Sequence, residues 1–316
     1  MKSVSVVIPN YNGKALLEAY LPHTIRALEY SLSVGDYELI VVDDASTDDS
    51  ITFLQSTYPQ IILLRNEKNT GFSQTINKGI KTAEKELVFL LNNDMELPQD
   101  IFNHLCPLFD TDENMFGVFP TIKDSTGSKI LEAQKLPVCS GTTIGYTDNA
   151  AQQKKAFSFY LCGGNALVDR KKLLELDGFC TIYSPFYFED FDLSLRAWKR
   201  GWTCYYTPDT YCLHCHSATI NSNFSKENVR RIFLRNRLIL NYIHTEGRQF
   251  KLFCIKNLFK YILSYIAPSQ SKKSFREAYG MFRKKKREIK EIKKEELKKQ
   301  KYNLAEVLQN YFGSDC

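Results

Sequence analysis

Residues 3–13 read SVSVVIPNYNG. The run Val4–Pro9 is nearly all apolar rather than alternating, as a strand covered on both faces requires, and it empties into a small polar turn. Three further runs repeat the pattern: Glu38–Asp44, Ile61–Asn66 and Glu86–Asp94. Helical spacing fills the gaps at Gly13–Leu32 (apolar at Leu16, Leu17, Tyr20, Leu21, Ile25 and Leu28), Thr47–Ser56 and Gly71–Ala83. Strand–helix alternation predicts an α/β fold with a mostly parallel central sheet and right-handed crossovers. In open sheets of this kind, ligands bind beyond the carboxyl ends of the strands. The chemistry is therefore sought in four turns: PNYNG (9–13), DDAST (43–47), RNEKNTGFS (65–73) and NNDME (92–96).

The second half is less regular. Phe116–Ile122 reads as a strand, and the polar, glycine-bearing stretch 123–153 as a variable loop. Residues 157–179 read as strand, glycine turn, strand and short helix; 188–202 as an amphipathic helix with acids in its first turn, where the helix dipole favours them; and 203–209 as a strand. From about Lys226 onward the pattern is helical. Leu252–Ala267 places Leu252, Ile255, Phe259, Ile262 and Ile266 on one side, with Lys256, Lys260 and Ser264 opposite, and Pro268 ends it. That stretch is too short to span a bilayer but suits a membrane interface. Residues 302–312 form a last short helix by the same spacing.

The 316 residues, 43% hydrophobic and 25% charged, suit a soluble globular chain with ample core. No run reaches the length of a membrane span and no signal peptide is visible, so a cytoplasmic protein is expected. Nine scattered cysteines do not look like a disulfide framework. The net charge of +6 is unevenly placed: residues 268–301 hold 14 Lys/Arg against 5 Asp/Glu. A tail this basic calls for an anionic partner, nucleic acid or membrane surface. No nucleic-acid recognition motif is visible, so no nucleic acid is expected.

Three stretches can carry chemistry. In LLNNDMEL (90–97) a strand delivers Asn92, Asn93 and Asp94 to the sheet edge. A carboxylate beside amide oxygens suits Mg²⁺ or Mn²⁺ held on a diphosphate, or else forms an Asx turn. In VVDDAS (41–46), Asp43 can accept a hydrogen bond from a base or sugar, while Asp44 or Ser46 can cap the following helix. In FYFEDFDLSLRAW (186–198), Asp192 and Arg196 pair at i,i+4. The adjacent carboxylates Glu189 and Asp190 raise each other's pKa, supplying a general base or stabilising the helix start.

Taken in order, SVSVVIPNYNG, VVDDASTDDS, NTGFSQTINKGI, FLLNNDMEL, CGGNALVDRKKLLELDGF, YFEDFDLSLRAWKRGW and PDTYCLHCHSAT resemble family 2 glycosyltransferases of the GT-A fold, especially rhamnosyltransferase-like enzymes of bacterial surface polysaccharides. The resemblance covers about residues 3–240. It implies a Rossmann-like GT-A domain over 1–245 (nucleotide-sugar half 1–97, acceptor half 98–245) and a basic helical tail over 246–316. It also implies an inverting transfer from a nucleotide-diphosphate sugar to a hydroxyl of a glycan or lipid-linked acceptor. By resemblance, Pro9, Tyr11, Asp43, Asn69, Gly71, Asn92 and Asn93 bind the nucleotide-sugar. Gly163 and Gly164 let backbone approach the acceptor sugar, Asp190 is the catalytic base with Glu189 as the neighbour that keeps it basic, and Asp94 holds the divalent cation. The family's Asp-x-Asp is here Asn92-Asn93-Asp94, which offers the metal less negative charge. Arg235 and Arg237 are expected either to reach a diphosphate or an anionic acceptor or to be plain surface charge.

Residues 210–219, TYCLHCHSAT, crowd two cysteines and two histidines. A closed zinc site wants two separated pairs of ligands, and no second CxxC follows. In an extended chain Cys212, His214 and His216 share one face and Cys215 takes the other. By resemblance, His214 is the family's histidine, joining Asp94 at the metal or touching the diphosphate, with Thr219 closing the motif. The basic tail is read as contacting an anionic membrane surface, which would put the protein at the inner face of the plasma membrane, or as a solvated or oligomerising arm. Two other readings are a nucleotidyltransferase, which would want a more glycine-rich and basic first loop, and a non-catalytic nucleotide-sugar-binding protein.

Overall fold

The computed structural model describes residues 1–215, 225–266 and 269–313. Its first half alternates β1 (Val4–Asn10), α1 (Lys14–Ser31), β2 (Tyr37–Asp43), α2 (Ser50–Thr57), β3 (Ile62–Arg65), α3 (Phe72–Thr82) and β4 (Leu87–Leu91). Next come β5 (Met95–Glu96), α4 (Ile101–Leu105), β6 (Met115–Asp124), β7 (Ile130–Glu132), β8 (Gln134–Ser140), β9 (Thr143–Asn149) and β10 (Ala156–Phe157). They are followed by β11 (Asn165–Asp169), α5 (Arg170–Glu175), α6 (Glu189–Lys199) and β12 (Thr203–His214). The main sheet runs β10-β12-β6-β11-β4-β1-β2-β3. Strands β3, β2, β1 and β4 are parallel, as is β12 to β6, while β11 lies antiparallel between β4 and β6. The expected mostly parallel sheet is thus present. Strand β3 is only half-buried, because it forms the sheet's edge.

Two expectations fail. Residues 123–153 are not a loop: β8 and β9 pair over seven positions as a hairpin, turning at Gly141 with φ 61°. Much of each strand faces solvent, so the stretch reads as polar. Helix α2 begins at Ser50 rather than Thr47, and neither Asp44 nor Ser46 caps it. Their side chains are spent on tying loops together. Ser46 Oγ accepts the Asn12 amide at 2.8 Å, and Asp44 accepts the Thr70 and Gly71 amides, each at 2.9 Å.

The chain closes with α7 (Lys226–His244), α8 (Gly247–Ile266), α9 (Gln270–Lys284), α10 (Lys286–Lys299) and α11 (Leu304–Phe312). Helices α9 and α11 fold back onto the body. Phe275, Tyr279, Phe282, Leu304 and Leu308 share one apolar cluster with Phe159, Tyr183, Phe191 and Leu195. Helix α10 buries Ile289 and leaves most of its lysines in solvent. Seven of the cysteines carry free thiols, and Cys139 is in a disulfide. Among the described residues, no helix is long and apolar enough to cross a membrane. His216, Thr219 and Pro268 lie outside the described residues.

Candidate active site

The carboxyl edge of the parallel strands is stitched by polar side chains. Asn93 donates to Asn10 Oδ1 at 2.9 Å, and Asn10 donates to Asp43 at 3.2 Å, linking the ends of β4, β1 and β2. Asp43 is fully buried, and its other oxygen accepts the Ser46 amide at 2.9 Å. Each carboxylate oxygen keeps a second lone pair, so this network leaves acceptor capacity at Asp43. Pro9 and Tyr11 are half-buried at the end of β1 and Asn69 is exposed. Gly71 adopts φ 81°, a conformation that favours glycine, at the end of the loop held by Asp44.

Beside this edge lies a cavity of about 360 Å³. It gathers Asn92, Gly163, Gly164, Glu189, Asp190 and His214 from among the expected site residues. Pro9, Tyr11, Asp43, Asn69, Gly71 and Asn93 do not line it and lie along the sheet edge instead. The two glycines are needed for contact with protein rather than with a free sugar alone. A Cβ on Gly164 would come within 2.3 Å of the Asn92 amide nitrogen, and one on Gly163 within 2.8 Å of Asp190 Cβ.

The Glu189–Asp190 pair is aimed by backbone strain. Tyr187 and Phe188 both sit at positive φ, 73° and 76°, which bulky residues rarely adopt. Helix α7 holds them there. The Asn236 amide donates to the carbonyls of Tyr183, Phe186 and Tyr187 at 2.6–2.9 Å, and Arg235 donates to those of Tyr183 and Ser184. Arg235 is therefore buried and committed to this loop, not placed on a diphosphate, while Arg237 is exposed. Behind the pair, Asp192 binds Arg196 at 2.7 Å, as the spacing predicts, and also accepts from Tyr183 and pairs with His244, each at 2.9 Å. Burial alone would raise the Asp192 pKa, but the Arg196 charge and the His244 contact outweigh it and bring it down to about 2.

Asp190 Oδ1 accepts the Phe191 amide at 2.7 Å, and its other oxygen faces the Gly163 amide at 3.5 Å. Burial pushes its carboxyl upward, only partly offset by these amides. Glu189 is pushed up further, first by burial and then by the Asp190 charge, and its Oε2 is buried with no hydrogen-bond partner among the described residues. A carboxyl favoured in its neutral form by the fold contributes stability at acid pH that is lost as pH rises through its folded-state pKa. Glu189→Gln removes that loss. Its melting temperature should exceed wild type by a margin that widens between about pH 5 and about pH 8. A constant margin in calorimetry would mean that Glu189 is already ionised in the folded state.

Asp94 Oδ2 pairs with His214 Nε2 at 3.1 Å, while Asp94 Oδ1 is buried with no hydrogen-bond partner among the described residues. Such an orphaned hard oxygen beside an imidazole fits a divalent cation that takes its other ligands from a diphosphate and water. No group of three or more His, Cys, Asp or Glu capable of enclosing an ion occurs among the described residues. Cys212 is buried against the Asn165 side chain, and Cys215 follows the end of β12 with its thiol toward the Leu213 carbonyl, so among the described residues the two cysteines form no zinc clamp.

Sequence reasoning missed four further residues of the cavity lining, Glu132, Tyr146, Tyr160 and Phe233; the Tyr146 and Tyr160 rings pack on Phe191 and the Phe233 ring on Phe188, on either side of the Glu189–Asp190 pair. Glu132 and Asp148 both grip the buried Lys135, whose ammonium lies near the Tyr146 and Tyr160 rings. The glycine turn at 140–142 between two short alternating segments was the available signal.

Residues 5–177, more than half the chain, match the family model described as Glycosyl transferase family 2. An N-acetylglucosaminyl-diphospho-decaprenol L-rhamnosyltransferase of Mycobacterium tuberculosis is 25% identical over 67% of this chain and 76% of its own. An undecaprenyl-phosphate 4-deoxy-4-formamido-L-arabinose transferase of Photorhabdus laumondii is 31% identical over 46% of each. The chain spans 28–46% of the length of the curated relatives it matches first. A crystal structure of GalNAc-T7 with UDP, GalNAc and Mn²⁺ superposes with a TM-score of 0.62 at 15% identity, over 88% of this chain and 55% of that one. This likeness is one of fold.

Proposed function

The chain belongs to glycosyl transferase family 2, and on that premise we propose that it moves a sugar, with inversion, from a nucleotide-diphosphate sugar to a hydroxyl of a glycan or lipid-linked saccharide in surface-polysaccharide synthesis. The observation that carries this reading is one cavity that brings the Glu189–Asp190 carboxylates and His214, with its partner Asp94, to the same opening at the sheet's carboxyl edge. Residues 1–245 form the catalytic unit in this reading and 246–316 a helical tail. The polyprenyl-linked groups in the names of the Mycobacterium and Photorhabdus relatives support a lipid-linked acceptor.

The nucleotide lies along the stitched edge, against Pro9, Tyr11, Asn69 and Gly71. Asp43 accepts from the base through its spare lone pair, and Asn92 and Asn93 face the ribose and donor sugar. Gly163 and Gly164 keep the acceptor side of the cavity open. Asp190 takes the proton from the acceptor hydroxyl as that oxygen forms its bond to the anomeric carbon; the bond from that carbon to the diphosphate oxygen breaks on the opposite face. One displacement inverts the centre and needs no covalent enzyme intermediate. Burial and the Asp190 charge push the Glu189 carboxyl up toward its neutral form, which limits the second charge beside the base. Asp94 and His214 would hold Mg²⁺ or Mn²⁺, which, when bound, neutralises charge on the departing diphosphate. The Mn²⁺ in the GalNAc-T7 complex supports this choice.

The anionic partner of the tail, in this reading, is the membrane that carries such acceptors. The negative leaflet faces the cytoplasm, where the protein would sit peripherally. A panel of UDP-, dTDP- and GDP-sugars with Mg²⁺ or Mn²⁺ tests the function. One nucleotide class should raise the melting temperature by several degrees and its sugar should be slowly hydrolysed. Stabilisation by none of the nucleotide diphosphates would sink the transferase reading.

A further inference from the structure

Helix α8 presents its apolar side to solvent. Ile255, Phe259, Ile262 and Ile266 are 51–73% exposed, whereas Phe253 and Ser264 face inward and are buried. With Leu258 and Leu263, also exposed, they cover an arc of about 140° at 100° per residue. A helix packed on a globular body normally turns that arc inward. The inward face instead carries Phe253 and Ser264 with the half-buried Cys254, Asn257 and Tyr261, which leaves the apolar arc to solvent. The outward arc is a contiguous apolar patch of the kind that marks a docking surface.

We infer that the outward face of α8 inserts into the interface of an anionic membrane and holds the acceptor cavity beside the lipid. Charge selects this occupant. The helix carries Arg248, Lys251, Lys256 and Lys260 and no acidic residue. On the apolar face itself stand the exposed Arg248 and Lys251, while Lys256 and Lys260 flank it, at Gly141 and over the Phe275 ring. A second copy packed on that face would oppose Arg248 and Lys251 to like charge, whereas anionic headgroups complement them. The helix is not apolar enough to cross, so it lies in the plane with its apolar arc down. Its position gives the contact a purpose. Lys256 Nζ lies 3.7 Å from where a Cβ on Gly141 would be, at the turn of the β8–β9 hairpin, and that hairpin delivers Tyr146 to the cavity wall. Docking α8 therefore places the acceptor side of the cavity next to the surface from which a lipid-linked saccharide projects. This last step rests on the acceptor proposed above; the membrane contact itself does not.

The test uses the full chain in flotation with phosphatidylcholine vesicles, with and without phosphatidylglycerol, beside the variant Ile255→Ser/Phe259→Ser/Ile262→Ser. All three positions are exposed, so the variant should fold. Wild type should float with the anionic vesicles and more weakly with neutral ones, and the variant should partition at least about 100-fold less. Equal flotation of the two proteins, or no flotation of wild type, overturns the proposal. So does a wild-type dimer in light scattering that the variant dissolves without change in flotation, which would give the face to a second copy. Turnover with a water-soluble acceptor is measured in parallel and should be the same for both. Its absence in both would strike the transferase reading and leave the flotation result standing.

Discussion

Asp190→Asn is expected to lower kcat by about 10³-fold while nucleotide-diphosphate affinity stays within a few-fold of wild type. Asparagine keeps the shape of the side chain and can still accept the Phe191 amide, so the loop and helix start survive. What disappears is the basic oxygen. Because Asp190 is no part of the Asn93–Asn10–Asp43 hydrogen-bond chain along the stitched edge, the proposed donor site has no reason to change. Burial also sets the pH profile. It lifts Asp190 to about 6, so kcat/KM should fall below about pH 6 rather than near pH 4, as the base becomes protonated. A near-normal rate in Asp190→Asn would transfer the role to Glu189, whose own glutamine variant would then be the inactive one.

The second large effect lies across the cavity. Asp94→Asn is expected to reduce transfer by at least about 10²-fold, and His214→Ala by about 10- to 100-fold through weaker metal retention. Both should flatten the dependence on Mn²⁺ of the thermal shift produced by a nucleotide diphosphate, a readout independent of turnover. Cys212→Ser and Cys215→Ser should leave that dependence intact, since neither thiol shares the Asp94 contact. If the two cysteine variants matched His214→Ala, the histidine would have no special place at the ion.

Legibility in the sequence followed the range of the forces involved. Strands β1, β2 and β4 were readable because burial on both faces writes itself into unbroken apolar runs such as VVI and LVFLL. The Glu189–Asp190 start of α6 was readable because acids collect where the helix dipole favours them. The hairpin was not, because edge strands with one wet face carry no such run. Arg235 was misplaced for another reason. Its meaning lies in carbonyls some fifty residues earlier, and a guanidinium bound to backbone leaves no mark on the sequence that distinguishes it from one bound to phosphate. Asp44 and Ser46 likewise look like caps, but their partners are loops brought close only by the sheet.

Helix α7 grips the molecule at three places: Asn236 on the loop before the base, His244 on Asp192 behind it, and Asn241 on the Ile144 amide of the hairpin at 2.8 Å. Two parts of the cavity lining, the loop before Asp190 and the hairpin, thus hang from one helix. A displacement of α7 is therefore expected to carry both parts together and to leave the gap between them unchanged. The cavity then behaves as a calliper with a fixed jaw. With the proposed acceptor in this cavity, a change in the accepted size would have to come from the side chains that line it, not from the spacing of the backbone behind them.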